Sequence, residues 1–432
     1  MHLLTYFGAL LLILCGVYLS VKFKFFQILG LKNIFSTTVI KIIKTKDFGG
    51  FRAMCVALGS TIGVGNIVGV SAAIVLGGPG AVFWMLVSGL LGMIIKYAEV
   101  YICVDDALRN NRESGGPMYV LKGLWGGFFA IIVLFASIFA GNMIQSKAIF
   151  EFTSLGFSLS PEIVSFITIP LLFLIVSGKD KLYQTFSSIF VPITALLYVA
   201  ATATLIIKNR ENVALALKLI FSSAFGFMEI GAGFSGAIIS SAIRQGVMKG
   251  LFTHEAGMGS APIAHSSATK KQPHIQGNWG MIEVFIDTVL VCMLTAIAII
   301  SSPCYINGGF LDPFKLVCSV FLDVFQKAGL KALSAFAYMF AFAAMVGWSF
   351  YGIKALEYFN LGWKAKKVYA LIFSLFLPVS LVLPDAFIWN LTDVFNTAML
   401  LPNVIMIFYF ANRIPLNERK YKNDLRCLSK KM

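Results

Sequence analysis

The sequence is poor in charge. Asp, Glu, Lys and Arg make up 13% of its 432 residues, against roughly 25% in soluble domains. Acidic residues are the scarcer sign, 20 against 35 Lys and Arg. This shortage excludes a disordered, solvated chain and argues against an ordinary soluble enzyme. Cysteine is sparse too: seven residues, an odd number, with no C-x-x-C. A disulfide scaffold and a zinc ribbon are therefore excluded. Cys15, Cys55, Cys103 and Cys292 lie in apolar runs and read as small core hydrophobes. Cys304 and Cys318 share one loop and form the one candidate disulfide. The His residues at 2, 254, 265 and 274 lack metal-site spacing. No Walker sequence, dinucleotide fingerprint or nucleophile elbow occurs, so ATP-driven transport and hydrolysis find no support.

What the chain has in abundance is apolar: 58% hydrophobic residues and 40 Phe. Apolar stretches fall at about 2–20, 53–75, 80–103, 127–150, 161–177, 184–207, 213–243, 279–302, 332–357, 368–384 and 387–410. A membrane helix needs about 20 such residues. The expectation is an all-α polytopic membrane protein of about eleven spans with short loops. The first stretch lacks the basic n-region and A-x-A site of a cleavable signal.

The surplus of positive charge, +15, has a membrane explanation. The loop at 21–52 carries Lys22, Lys24, Lys32, Lys41, Lys44, Lys46 and Arg52 against Asp47. The positive-inside rule makes it cytoplasmic, with the N-terminus outside and the C-terminus inside. On that topology only Lys147, Lys208, Arg210, Lys218, Lys315, Lys327 and Lys331 fall outside. No nucleic acid is needed to account for the charge. The basic tail at 413–431 reads as a segment for anionic lipid or for a partner.

Two spans are too rich in glycine for plain helices. The second reads Gly59-Ser60-Thr61-Ile62-Gly63-Val64-Gly65-Asn66-Ile67-Val68-Gly69. Glycine costs about 1 kcal/mol relative to alanine in a helix interior. A packing face would space small residues four apart with apolar residues between, which Asn66 does not suit. The seventh span repeats the pattern at Gly226 to Gly236, with Glu229 inside it. Leaving the first helix aside, the breaks open two five-helix halves. Five is odd, so the halves are inverted in the bilayer. Paired interrupted segments in inverted halves point to a secondary transporter. Opened N–H groups suit a carboxylate and opened carbonyls suit a cation.

The stretches TIGVGNIVGV (61–70), GGPGAVFWM (77–85), KYAE (96–99), GGPMY (115–119), GNMIQ (141–145), GLFTHEAGMGSAPIAH (250–265), NWGMIEVFIDT (278–288), VGWSFYGIKALEY (346–358) and PN (402–403) carry a resemblance over nearly the whole chain. The sequence resembles the alanine or glycine:cation symporter family. The resemblance implies the five-plus-five inverted-repeat amino-acid transporter fold with an extra N-terminal helix. In this chain that divides one transporter domain into 1–52, repeats at 53–207 and 213–410, and a basic tail at 411–432.

The resemblance further implies substrate contacts at Thr61, Gly63, Gly65, Asn66, Gln145, Phe234, Ile238 and Trp348. Thr61 and the opened N–H groups would take a carboxylate, and Gln145 either end of a zwitterion. Phe234, Ile238 and Trp348 would bound a small apolar side chain; packing is the alternative for Phe234 and Trp348. The family often has a Ser or Thr pair before the Gly-Trp of the ninth span, helping to bind sodium. Here Ala343-Ala344 stand there, and methyls cannot replace oxygen ligands of a hard cation. Carbonyls of Gly59 and Ile62 remain as ion ligands. Glu229, where small residues are usual, is either a replacement ligand, a proton site or an interfacial residue.

Glu283 and Asp287, four apart, are expected to pair with Arg244 or Lys249 as a gate or network. Lys96 and Glu99, three apart, are expected to pair locally. Residues 254–274, with three of the His, are expected on an inner loop. The chain is thus expected to import alanine or glycine with a cation, sodium or a proton, by alternating access in the cell membrane. A non-transporting amino-acid receptor is the other class. No catalytic residue, resident metal, organic cofactor or obligate protein partner is expected.

Overall fold

The computed structural model describes residues 2–40, 48–226, 235–269, 271–308 and 312–415, with backbone alone at 2–6 and 235–238. The described residues form helices and connecting loops, with no strand. Helix α1 spans His2–Lys22, and short helical turns follow to residue 40. The second apolar stretch is two helices, α2 (Gly49–Thr61) and α3 (Val68–Gly77). Next come α4 (Gly80–Arg109), α5 (Gly123–Phe157), α6 (Pro161–Val176) and α7 (Asp180–Lys208). In the second half lie α8 (Val213–Ala224), α9 (Ser235–His254) and the short α10 (Ala261–His265). The chain ends with α11 (Pro273–Ile300), α12 (Pro313–Phe325), α13 (Lys327–Tyr358), α14 (Trp363–Val382) and α15 (Asp385–Phe410).

Among the described residues, seven helices are long and apolar enough to cross a bilayer: α4, α5, α7, α11, α13, α14 and α15, the last extended to Arg413. Three shorter apolar helices, Phe7–Lys22, Val68–Gly77 and Pro161–Val176, accompany them. Proline marks starts and bends. Pro161, Pro273 and Pro313 occupy the first turn, where their missing N–H costs nothing. Pro170, Pro192, Pro378 and Pro402 sit inside helices, where each removes a backbone hydrogen bond. At α12, Asp312 caps the helix by accepting from the N–H groups of Phe314 (2.9 Å) and Lys315 (3.3 Å).

The polarity is that of a membrane protein. Phe166, Leu196 and Val382 are 82, 69 and 84% exposed, whereas Lys96, Glu99 and Asp287 are fully buried. Apolar side chains face outward and ionisable groups face the bundle interior. The interrupted α2/α3 pair lies at the centre, against α7, α9, α11 and α13. Close approach at one end requires glycine: a methyl on Gly80 would lie 2.5 Å from the backbone N of Ala224. Cys304 and Cys318 are free thiols, which corrects the candidate disulfide; Cys304 Sγ instead approaches the Ser319 carbonyl at 3.7 Å.

Candidate functional site

The first break is where the glycine pattern predicts it. Helix α2 stops at Thr61; Ile62 is extended, with ψ 97°. Gly63 is extended too, and Val64–Asn66 make a single 3-10 turn before α3. The Gly63 N–H, which in a continuous helix would reach back to Gly59, donates instead to Asn66 Oδ1 at 3.0 Å. The Val64 N–H donates to Gln145 Oε1 at 3.4 Å. Side chains thus replace the lost helical acceptors, as buried backbone requires. Asn66 Nδ2 donates to Asp287 Oδ1 at 2.7 Å and approaches Cys292 Sγ at 3.3 Å.

A further break, not the one expected at 226–236, separates α9 from α10. After α9 the chain takes left-handed conformations at Glu255 (φ +50°), Gly257 (+85°) and Gly259 (+78°) before α10 begins. Glycine carries two of these without Cβ strain. A methyl on Gly65 would come within 3.2 Å of Thr253 Cγ2, so the first break packs on the last turn of α9, just before the second. Gly259 N–H donates to Glu99 Oε2 at 3.1 Å. Asn403 Nδ2 donates to the Gly257 carbonyl (2.8 Å) and to Glu99 Oε2 (2.7 Å). His254 and His265 are fully buried here, which corrects their expected place on a loop.

An ionic cluster lies beside this second break. Lys96 Nζ is 3.2 Å from Glu283 Oε1 and 3.9 Å from Glu99 Oε1. His265 Nε2 is 3.3 Å from Glu283 Oε2, and His265 Nδ1 is 2.9 Å from Gln276 Oε1. Glu283 therefore takes Lys96 and His265 as partners, in place of the expected Arg244 or Lys249. Asp287 takes Asn66 and Thr288, the latter at 2.8 Å. The reason is depth: Glu283 and Asp287 lie against α4 and the first break, whereas Lys249 stands 5.5 Å over the Trp389 ring. The local Lys96–Glu99 pair is present.

A cavity of about 220 Å³ reaches the first break. Val64, Gly65 and Val68 line its depth, α5 contributes Ile144, Lys147 and Glu151, and Lys249, Phe252 and Trp389 complete it. Asp385, 74% exposed and paired with Lys147, stands at its mouth.

The sodium:alanine symporter family profile matches residues 1–431. The chain belongs to the sodium:alanine symporter family. Family membership supports cation-coupled amino-acid transport as its class of activity, and the protein is a multi-pass membrane protein. Sodium/alanine symporter AgcS of Methanococcus maripaludis is 35% identical over 96% of this chain and 94% of its own length. Probable sodium/glutamine symporter GlnT of Bacillus subtilis is 29% identical over 92% of this chain and 84% of its own. The crystal structure of MhsT in complex with L-phenylalanine superposes with TM-score 0.56 over 83% of this chain and 88% of that one, at 18% identity. That likeness is one of fold, and it agrees with the inverted-repeat amino-acid transporter fold expected from the sequence.

The structure brings several expected family positions together. Gly63 faces Gln145: a methyl on Gly63 would meet the Gln145 amide at 3.0 Å. Trp348 packs on Gly141, one turn before Gln145, where an added methyl would lie 2.2 Å from Trp348 Cβ. Thr61 Oγ1 donates back to the Leu58 carbonyl at 3.1 Å. Gly59 lies beside α13, with the Ala343 carbonyl 3.6 Å from where its Cβ would be. Ala343 and Ala344 are both buried. Glu229 and Phe234 lie outside the described residues, as does the Ile238 side chain; of the interruption expected at 226–236, only Gly226 and the helical backbone of Ser235 and Gly236 are described. Sequence reasoning missed Glu255, Ser60 and Tyr351. Ser60 Oγ and Tyr351 OH meet at 2.8 Å, and Trp348 Nε1 donates to Glu255 Oε1 at 3.1 Å.

Proposed function

We propose that the protein is a symporter that imports a small neutral amino acid, alanine or glycine, with sodium, by alternating access around the two breaks. The observation that carries this reading is the packing of the first break on the last turn of α9, just before the second break, with a cavity lined by Val64 and Gly65 of the first and Phe252 of α9. Irregular backbone at membrane depth lines binding sites. Family membership and the AgcS relative support alanine and sodium; the GlnT relative keeps a larger amide substrate among the competitors to be tested. Thr61, Gly63, Gly65 and Gln145 bind the substrate, with Trp348 bounding its side chain. Asn66, expected among the substrate contacts, is instead engaged by the Gly63 N–H and Asp287 and shapes the break. Carbonyls of Gly59 and Ile62, at the end of α2 where helical donors no longer follow, serve the ion. Phe234, Ile238 and Glu229 complete the site as expected from the sequence.

The N-terminus lies outside and the C-terminus in the cytoplasm of the cell's inner or plasma membrane, on the charge asymmetry of the loops. The cavity mouth at Asp385 is then external. Residues 53–207 and 213–410 act as the two inverted repeats. Beyond the amino acid, the ion and the lipid bilayer, no partner or organic cofactor takes part. A proton in place of sodium is the second reading, favoured by the methyls of Ala343 and Ala344 where hydroxyl ligands are wanted.

The experiment is uptake of labelled alanine by the full-length protein in liposomes, with sodium and pH gradients imposed separately. Accumulation driven by sodium alone supports the proposal, together with its loss in Gln145→Ala. Accumulation driven only by the pH gradient replaces sodium by a proton. Saturable binding without accumulation makes the protein a receptor and ends the transport reading.

A further inference from the structure

Glu255 opens the second break and reaches across it. Its left-handed φ of +50° is one that non-glycine residues seldom hold, and such a conformation persists where the surroundings fix it. The carboxylate makes the fixing contacts. Oε2 accepts from Ser260 Oγ at 2.9 Å, at the far end of the same break. Oε1 accepts from Trp348 Nε1 at 3.1 Å. Both residues are buried, and an indole N–H is a donor only, so this oxygen determines the ring's orientation. The other contacts leave the ring little freedom: α5 approaches so closely at Gly141 that no side chain fits between. Tyr351 packs edge-on at 5.6 Å, and its hydroxyl meets Ser60, the neighbour of the last residue of α2. One indole is therefore held by the second break and joined through Tyr351 to the first.

We propose that Glu255 is a positioning residue whose carboxylate fixes the Trp348 indole and so sets, from the second break, the largest side chain the transporter accepts. The inference rests on the reading of Trp348 as the boundary of the substrate site. It adds a link between selectivity and movement: any rearrangement of residues 255–260 moves Glu255 and carries the ring with it.

The test is the ratio of kcat/KM for alanine to that for valine, measured with the full-length protein in liposomes. The variants are Glu255→Gln, Glu255→Ala, Trp348→Phe and the Glu255→Ala/Trp348→Phe double. Gln keeps an oxygen for the indole and an amide donor for Ser260 Oγ, so it holds the ratio within about twofold of the parent. Glu255→Ala and Trp348→Phe each change the ratio about tenfold, the scale on which apolar pockets discriminate methylene groups. The double variant changes it no further than either single one, because both remove the same constraint. Independent, multiplying effects overturn the proposal, as does an unchanged ratio in Glu255→Ala when Trp348→Phe shifts it. An unchanged ratio in Trp348→Phe means that the indole does not bound the substrate, and both readings fall. If Glu255→Ala does not fold, Glu255→Gln against Trp348→Phe decides: a Gln variant shifted as far as the Phe variant overturns positioning by the hydrogen bond, and one held at the parent ratio supports it.

Discussion

Asn66 in the first break and Asp287 on α11 are joined by a 2.7 Å hydrogen bond from the amide to the carboxylate. The same asparagine accepts from the Gly63 N–H. One side chain therefore closes the break on itself and fastens it to α11, with no contact from bulk water at either group.

Removing Asn66 strands both partners. Asn66→Ala is expected to cut alanine uptake by about 10- to 100-fold, the scale of a buried donor and a buried carboxylate left unsatisfied. Asn66→Asp is expected to do worse, since it sets a second carboxylate against Asp287 in a low-dielectric interior. Uptake by equal amounts of reconstituted protein ranks the two; an Asp variant more active than the Ala variant would contradict the geometry.

Lys96 and Glu283 make the second prediction. Breaking a buried pair by removing one partner costs about 3–5 kcal/mol, whereas replacing both is often close to neutral. Lys96→Met and Glu283→Gln are each expected to lower the melting temperature in detergent sharply. The double variant should recover much of the loss, though not all, because Glu99 stays 3.9 Å from position 96. Simple additivity would mean that the two groups do not act as a pair.

The first break was legible because Gly63 and Gly65 alternate with Val64 and Asn66 just after Ser60 and Thr61, a spacing that neither a helix nor a packing stripe explains. The second was not. Gly257-Met258-Gly259 has the same alternation, but Thr253, His254, Glu255 and Ser260 around it look like loop residues in a linear reading. Burial of those polar groups comes from α4 and α15 folding over them through Glu99 and Asn403, contacts between residues far apart in sequence. Periodicity carries no such information. Most long helices lie on the apolar stretches, as bilayer thickness dictates, but the stretch at 213–243 gives α8 and an α9 that runs on to His254, and α12 lies on none of them. The partners of Glu283 did not follow from spacing, because Lys96 pairs with it across two helices rather than along one.

Gly141 offers a steric test of the Trp348 site. An added methyl there would sit 2.2 Å from Trp348 Cβ, a distance that real contacts do not show. Gly141→Ala is expected to raise KM for alanine at least about tenfold by displacing the indole or α5. Gly127→Ala, on the same helix, is the control: its methyl would meet only Phe359 at 3.8 Å, so transport should stay within about twofold. Equal effects at the two positions would show that helix α5 tolerates no methyl at all, and would remove the argument for a specific pocket wall.

The ion question is testable at Ala343. Its carbonyl faces Gly59 across the α2–α13 contact, and its side chain is buried where the family resemblance leads one to expect a hydroxyl. Ala343→Ser adds one oxygen without a change of backbone. If sodium binds beside Gly59, the half-saturating sodium concentration should fall about fivefold to tenfold, equivalent to ~1–1.4 kcal/mol of added binding. Uptake of alanine across a sodium series, at fixed pH and osmolarity, reads this directly. A serine variant with the parent sodium dependence would place the coupling ion elsewhere. A parent protein with no sodium dependence that acquires one in Ala343→Ser would show that the alanine pair itself had removed it.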